Sequence, residues 1–144
     1  MKTILIINGP NLNMLGKREP EIYGKETLDD IKNLCETKAK SLSFAINFYQ
    51  SNNEGEIIDL IQKSENTASG IIINPAGLGH SSVALMDSLL ATSIPSIEVH
   101  LSNIYKREEF RHHTYTSKAV KGVISGFGSF GYIMALEAIA REIK

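Results

Sequence analysis

The sequence predicts an α/β fold, a five-stranded parallel sheet between two layers of helices, and three observations carry that prediction. Short apolar runs rich in β-branched residues recur at residues 4–7 (ILII), Gly70–Asn74 (GIIIN) and Gly122–Ser125 (GVIS). Near-continuous hydrophobicity of this kind marks strands buried on both faces. Between them lie segments whose apolar residues are spaced by three and four, the periodicity of a helix packed on one side. Strand and helix alternate along the chain, and alternation of that kind gives parallel pairing with right-handed crossovers.

The first strand, residues 4–7, is stopped by Asn8, Gly9 and Pro10, because Pro lacks a ladder donor and Gly allows a sharp change of direction. A loop without periodicity runs from there to Gly24 and carries Asn11, Asn13, Lys17, Arg18, Glu19 and Tyr23. A loop of that length in a compact domain is usually functional or disordered, and its polar side chains favour function. From Thr27 the pattern is helical. Leu28, Ile31, Leu34, Cys35, Ala39 and Leu42 form one apolar face, and Thr27 with Asp30 has the spacing of a capping box. Residues 44–49 (FAINFY) read as the second strand, and Glu54–Lys63 as a second amphipathic helix with Ile57, Ile58 and Ile61 inward.

Gly70–Asn74 is the third strand, followed by a tight turn over 75–79. The pattern then predicts a third helix over residues 80–91, with Val83, Leu85, Met86, Leu89 and Leu90 apolar. Residues 94–100 (IPSIEVH) form the fourth strand, and residues 103–113 are loop with room for one short helical turn. Gly122–Ser125 is the fifth strand and residues 129–143 the closing helix. Five strands in this arrangement suit a flavodoxin-like three-layer sandwich with strand order 2-1-3-4-5, whose crevice opens at the carboxyl ends of strands one and three. Asn11, Asn74 and His100 follow or end strands one, three and four, so three strand ends supply one crevice.

The totals set limits. A chain of 144 residues, 42% hydrophobic and 22% charged, reads as one globular domain, residues 1–144. A net charge of −1 gives no electrostatic case for a nucleic-acid or acidic-membrane partner. The single cysteine, Cys35, allows neither an intramolecular disulfide nor a cysteine-based metal cluster, and its place on a helix face reads as core. No run reaches the ~20 apolar residues of a membrane span, and the N-terminal run is too short for a signal peptide, so the default location is cytoplasmic.

Four stretches carry candidate chemistry, each with a plainer alternative. In the first loop, Tyr23 and Arg18 read singly as a packed ring and a surface charge, and read together as a site. NPAGLGHSS (residues 74–82) is either a glycine-rich turn or a wall of the crevice, with Asn74 pointing inward and His80 leading a helix N-terminus. In IEVHLSN (residues 97–103), Glu98 and His100 alternate with Ile97 and Val99 inside a buried strand, which is costly unless both are hydrogen-bonded. A Glu that orients a general-acid His explains the pair, and a satisfied structural histidine is the alternative. Within YKREEFRHH (residues 105–113), a solvated charge run by composition, Arg111 stands out as a clamp for an oxygen-rich substrate, while His112 and His113 stay with the run. Gly126, Gly128 and Gly131 spell the dinucleotide fingerprint between a strand and a helix. That fingerprint normally opens the first βα turn, and here the acid expected ~20 residues later has no place in the remaining chain, so close helix–strand packing is the better reading. The rival to an enzyme is a flavodoxin-like nucleotide or flavin module, which has no need of an Arg–Tyr loop or a buried Glu–His pair.

GPNLNMLGKREPEIYG, NPAGLGHSSVAL, IEVHLSN, REEFRHHTY and GVISGFGSFGY, in this order and spacing, resemble the type II 3-dehydroquinate dehydratases, and the resemblance spans essentially the whole chain. It implies a cofactor-independent hydro-lyase of the shikimate pathway that dehydrates 3-dehydroquinate by anti elimination through an enolate, with neither metal nor imine. By resemblance Tyr23 is the base at C2, Arg18 keeps it reactive, and Asn11 helps hold a water near the enolate oxygen. His100, steered by Glu98, is the acid for the C1 hydroxyl. Asn74, His80, Asp87 and Arg111, with the backbone of Leu101 and Ser102, match the positions that hold substrate. The resemblance also implies a homo-oligomer, a dodecamer built as a tetramer of trimers. Gly79 and Met86 depart from the pattern, which has Thr or Ser and Arg at those places in many members.

Overall fold

A computed structural model describes residues 1–17 and 19–143, with the side chains of Ile22 and Tyr23 also outside the described set. Arg18 therefore lies outside the described residues, and Tyr23 is described only as backbone.

Five strands, β1 (Thr3–Asn8), β2 (Ala45–Gln50), β3 (Gly70–Asn74), β4 (Ser96–His100) and β5 (Gly122–Ser125), form one sheet in the order β2-β1-β3-β4-β5. Every pairing is parallel, as the alternation of elements predicts. The period-two alternation of each strand divides the core into two layers. Ile4, Ile6, Ile72, Ile97 and Val99 face one side, where α2 (Leu28–Ser41) brings Ile31, Cys35 and Ala39 and α5 (Phe130–Glu142) brings Tyr132, Leu136 and Ile139. Leu5, Ile7, Ile71 and Ile73 face the other, against Ile57 and Ile61 of α3 (Glu54–Lys63) and Leu85 and Leu89 of α4 (Val83–Ala91). Each fully buried isoleucine contributes about 1.5–3 kcal/mol, so the central strands anchor the molecule.

Local chemistry sets the element ends. Thr27 and Asp30 form the reciprocal capping box on α2, with Asp30 N–H donating to the threonine hydroxyl at 3.1 Å and Thr27 N–H to the carboxylate at 3.0 Å. The long loop after β1 holds more structure than its lack of periodicity suggests: a 3-10 turn at Leu12–Met14 and the four-residue helix α1 (Pro20–Tyr23). Leu12 and Leu15 tie it down by entering the core.

The third predicted helix needs correction. Residues Ala76–His80 make a 3-10 turn, and α4 begins only at Val83, because the Ser82 hydroxyl caps it by accepting from Leu85 N–H at 2.9 Å. His80 therefore belongs to the turn and does not lead the α-helix. On α4 only Leu85 and Leu89 of the predicted apolar face are core; Val83 and Leu90 are exposed, as is Leu34 on α2. Strand β4 starts at Ser96 rather than Ile94, since Pro95 cannot donate to the ladder. Residues 103–113 hold two 3-10 turns, Ile104–Lys106 and Glu109–Arg111, where one was expected. The glycine run after β5 serves packing: a Cβ on Gly131 would stand 3.3 Å from Val99 Cγ1, and one on Gly126 would stand 3.1 Å from Asn103 Cβ.

Candidate active site

The carboxyl ends of β1, β3 and β4 converge because their register aligns them, with Asn8 beside Asn74 and Ile73 beside Glu98. Gly9 lets β1 and β3 close up: its N–H donates to the Asn74 carbonyl at 2.8 Å, and a Cβ there would lie 2.4 Å from the Pro75 carbonyl oxygen. Beyond these ends opens a crevice lined by Asn11, Asn74, His80, His100, Leu101, Ser102 and Arg111, all singled out in the sequence.

The chain after β1 is braced from the turn that follows β2. Asn11 takes a left-handed backbone conformation, φ 72°, and its N–H donates to Asn52 Oδ1 at 2.9 Å. Gln50 Nε2 donates to the Gly9 carbonyl at 3.2 Å and to Asn52 Oδ1 at 3.1 Å. Asparagine is among the few residues that accept this conformation readily.

The deepest feature is the Glu98–His100 pair. Both side chains are buried, and His100 Nε2 lies 2.6 Å from Glu98 Oε2. A carboxylate only accepts, so Nε2 carries the proton of that bond and Nδ1 is the nitrogen left for other work. Glu98 Oε1 is buried with no hydrogen-bond partner among the described residues. The negative end behind His100 therefore has one principal outlet, the imidazole.

His80 stacks on His100, with ring centroids 6.0 Å apart and planes 23° from parallel. Its Nδ1 lies 2.8 Å from the His113 carbonyl, which can only accept, so Nδ1 holds the proton and Nε2 is an acceptor in the neutral ring. Burial foremost holds its pKa below the ordinary histidine value, the neighbouring His100 and Arg111 charges add to that, and the His113 carbonyl opposes it.

Arg111 Nε donates to Glu108 Oε1 at 3.0 Å, which fixes the guanidinium at the crevice edge. The charge-run reading missed Arg107, a further crevice-lining residue whose Nη1 donates to Ser102 Oγ at 3.3 Å. It also missed the carbonyl of His113 as the group that sets the His80 tautomer. His112, assigned to the charge run, places Nε2 3.1 Å from the Arg107 carbonyl. None of these contacts leaves a local signal, because each depends on how the two 3-10 turns fold over the sheet.

Three expected site residues stand apart. Asp87 is exposed on α4 and does not line the crevice. The roles of Tyr23 and Arg18 fall on a side chain and a residue outside the described set, although the backbone places Tyr23 at the end of α1. Among the described residues no cluster of His, Cys, Asp and Glu could hold a metal ion, and no helix is long and apolar enough to cross a membrane.

A doubly wound sheet whose strand ends gather a buried Glu–His pair, a neutral second histidine, an amide and an arginine defines an α/β protein with a crevice for acid–base chemistry on a small polar molecule. Comparison with known proteins narrows that class. The sequence model described as Dehydroquinase class II matches residues 2–140. A 3-dehydroquinate dehydratase of Bartonella tribocorum is 57% identical over 140 residues, covering 97% of this chain and 94% of that one. One from Clostridium botulinum is 53% identical over 144 residues, covering 100% and 98%. Among solved structures, the type II dehydroquinase of Butyrivibrio crossotus superposes with a TM-score of 0.94 at 47% identity, covering 96% of this chain and 97% of that one. The chain belongs to the class II dehydroquinase family.

Proposed function

We propose that this chain is a hydro-lyase that removes water from 3-dehydroquinate, giving 3-dehydroshikimate for the shikimate pathway, and that residues 1–144 act as a single catalytic domain in the cytoplasm. The observation that carries this reading is the buried Glu98–His100 pair, bonded at 2.6 Å, with His100 lining the strand-end crevice.

In the proposed sequence Tyr23, as tyrosinate, takes the C2 proton, and the electron pair passes to the C3 oxygen as an enolate. Asn11 helps hold a water against that oxygen. The electrons return, the C1–O bond breaks, and His100 gives its Nδ1 proton to the leaving hydroxyl, so that water departs. The cycle leaves Tyr23 protonated and His100 neutral, and solvent exchange resets both. Glu98 stabilises the imidazolium that must exist before the transfer. Asn74, His80, Arg111 and the backbone of Leu101 and Ser102 hold the hydroxyls and carboxylate. Arg18 is proposed to keep Tyr23 ionised: a free tyrosine has a pKa of about 10, and bringing it near 7 takes roughly 4 kcal/mol of preference for the anion. One guanidinium about 4 Å away supplies about that much at an effective dielectric near 20.

Asp87 fits a substrate-holding role only if another copy of the chain brings it to the crevice, which accords with the proposed dodecamer of four trimers. No metal, cofactor or lysine imine enters the scheme. The test is the ultraviolet absorbance of the conjugated enone after 3-dehydroquinate is added. Turnover should survive EDTA and borohydride, Tyr23→Phe should nearly abolish it, and Arg18→Lys should move the basic-group pKa of the kcat profile upward. Absence of turnover in the wild-type protein, or a lysine adduct after reduction, overturns the reading.

A further inference from the structure

One chain of hydrogen bonds beneath the crevice has its direction set at both ends by the main chain. Asn8 Nδ2 lies 3.0 Å from the Tyr49 carbonyl, which can only accept. The Asn8 amide is thereby oriented with Oδ1 toward the Tyr132 hydroxyl, 2.6 Å away, which must donate to it. With its proton committed, the Tyr132 oxygen accepts from Asn74 Nδ2 at 3.0 Å. The other end of the Asn74 amide, Oδ1, accepts from Ala76 N–H at 3.1 Å, and that donor is equally fixed. Read from Tyr49 or from Ala76, the polarity comes out the same. Tyr132 and Asn8 are fully buried and Asn74 is 3% exposed, so water does not compete for these bonds. Burial also pushes the Tyr132 hydroxyl above the ordinary tyrosine range, which keeps its proton in place.

Packing alone does not call for a tyrosine here. A phenylalanine would fill the same space beside Leu136 and Ile139 without burying a hydroxyl, and a buried hydroxyl is costly unless it is satisfied. What the hydroxyl adds is orientation. Asn74 sits at the crevice, and the Tyr132 oxygen holds the Nδ2 end of its amide while Ala76, two residues on in a left-handed conformation, φ 52°, holds the Oδ1 end.

We propose that Tyr132 is a positioning residue for substrate: reaching from α5 to the ends of β1 and β3, its hydroxyl fixes the Asn74 amide so that the remaining Nδ2 hydrogen is a donor for the crevice, which then selects an acceptor oxygen at that point. This rests on the reading of the crevice as the substrate site. Asn8 is the second member of the device. Without its Oδ1 the Tyr132 proton can turn to Asn74 and favour the reversed amide.

The test is steady-state kinetics on Tyr132→Phe, Asn8→Leu and the double variant, with 3-dehydroquinate as substrate. Tyr132→Phe should raise KM about tenfold, the scale of one lost hydrogen bond, with kcat within about twofold and its pH profile unmoved. Asn8→Leu, which leaves the Tyr132 side chain itself intact, should raise KM similarly, and the double variant should raise it no further. A crystal structure of Tyr132→Phe should show the turn at Ala76 altered or the Asn74 amide reversed. KM within twofold of wild type in both single variants, an additive rise in the double variant, or a fall in kcat matching the change in KM overturns the proposal. Failure of the function reading is separate, since it is a wild-type protein without turnover, and the Tyr132→Phe crystal structure then still decides the orientation of Asn74.

Discussion

His80 and His100 stack within 6.0 Å of each other yet hold their protons on opposite nitrogens, one on Nδ1 for a carbonyl and the other on Nε2 for a carboxylate. That difference assigns them different work. In the proposed sequence His100, backed by Glu98, delivers its proton only as the C–O bond breaks, so His100→Ala should lower kcat far more than it raises KM. Glu98→Gln should have a smaller effect in the same direction, and equal losses in binding and turnover would make His100 a substrate holder instead. His80 has the opposite character. Its native pKa lies below the ordinary value of about 6.5, so as pH falls the unfolded chain takes up the proton first. The contribution to stability is complete above about pH 6.5, declines below it, and levels off once the native His80 protonates. Urea midpoints at pH 7.5 and pH 5 should therefore differ less in His80→Gln than in the wild-type protein, and an equal difference would show that another group carries the dependence.

At the scale of elements, the crevice is shaped by how near β1 and β3 come. Gly9→Ala would force a Cβ to 2.4 Å from a main-chain oxygen, so the strand ends must part. A loss of about 1–3 kcal/mol in unfolding free energy is expected, with a raised KM as Asn11 and Asn74 separate; an unchanged thermal midpoint would refute it. This close approach was legible only as punctuation, a glycine before a proline. Strands were legible because isoleucine runs leave a signal that neighbours cannot erase, and Glu98 and His100 announced themselves as charge inside such a run. The register of α4 was not, since Ser81 and Ser82 both offer a hydroxyl and only the three-dimensional turn decides which one caps. Arg107 and the His113 carbonyl were hidden for a like reason: their partners come from residues folded over by the 3-10 turns. The pairing of Tyr132 with Asn8 spans nearly the whole chain, and no local pattern reports it.

For the whole molecule, the substrate-holding role proposed for the exposed Asp87 requires a second copy of the chain. Asp87→Asn mixed with His100→Ala should recover part of the turnover that each lacks alone, if copies exchange and share sites. Sedimentation showing a fully active single chain at assay concentration would rule that out. The hydroxyl of Tyr132 also has a consequence in time. Strand β1 is synthesised well before its sheet partners, β2 and β3, which begin only at Ala45 and Gly70. The residue that locks the ends of β1 and β3 together comes last, in α5. Parallel pairings between distant segments form slowly because the intervening loops must close first. On the ribosome the chain can therefore gather its helices early while the ends of β1 and β3 wait for α5 to emerge, and tight binding of substrate should appear only once α5 is in place, rather than strand by strand.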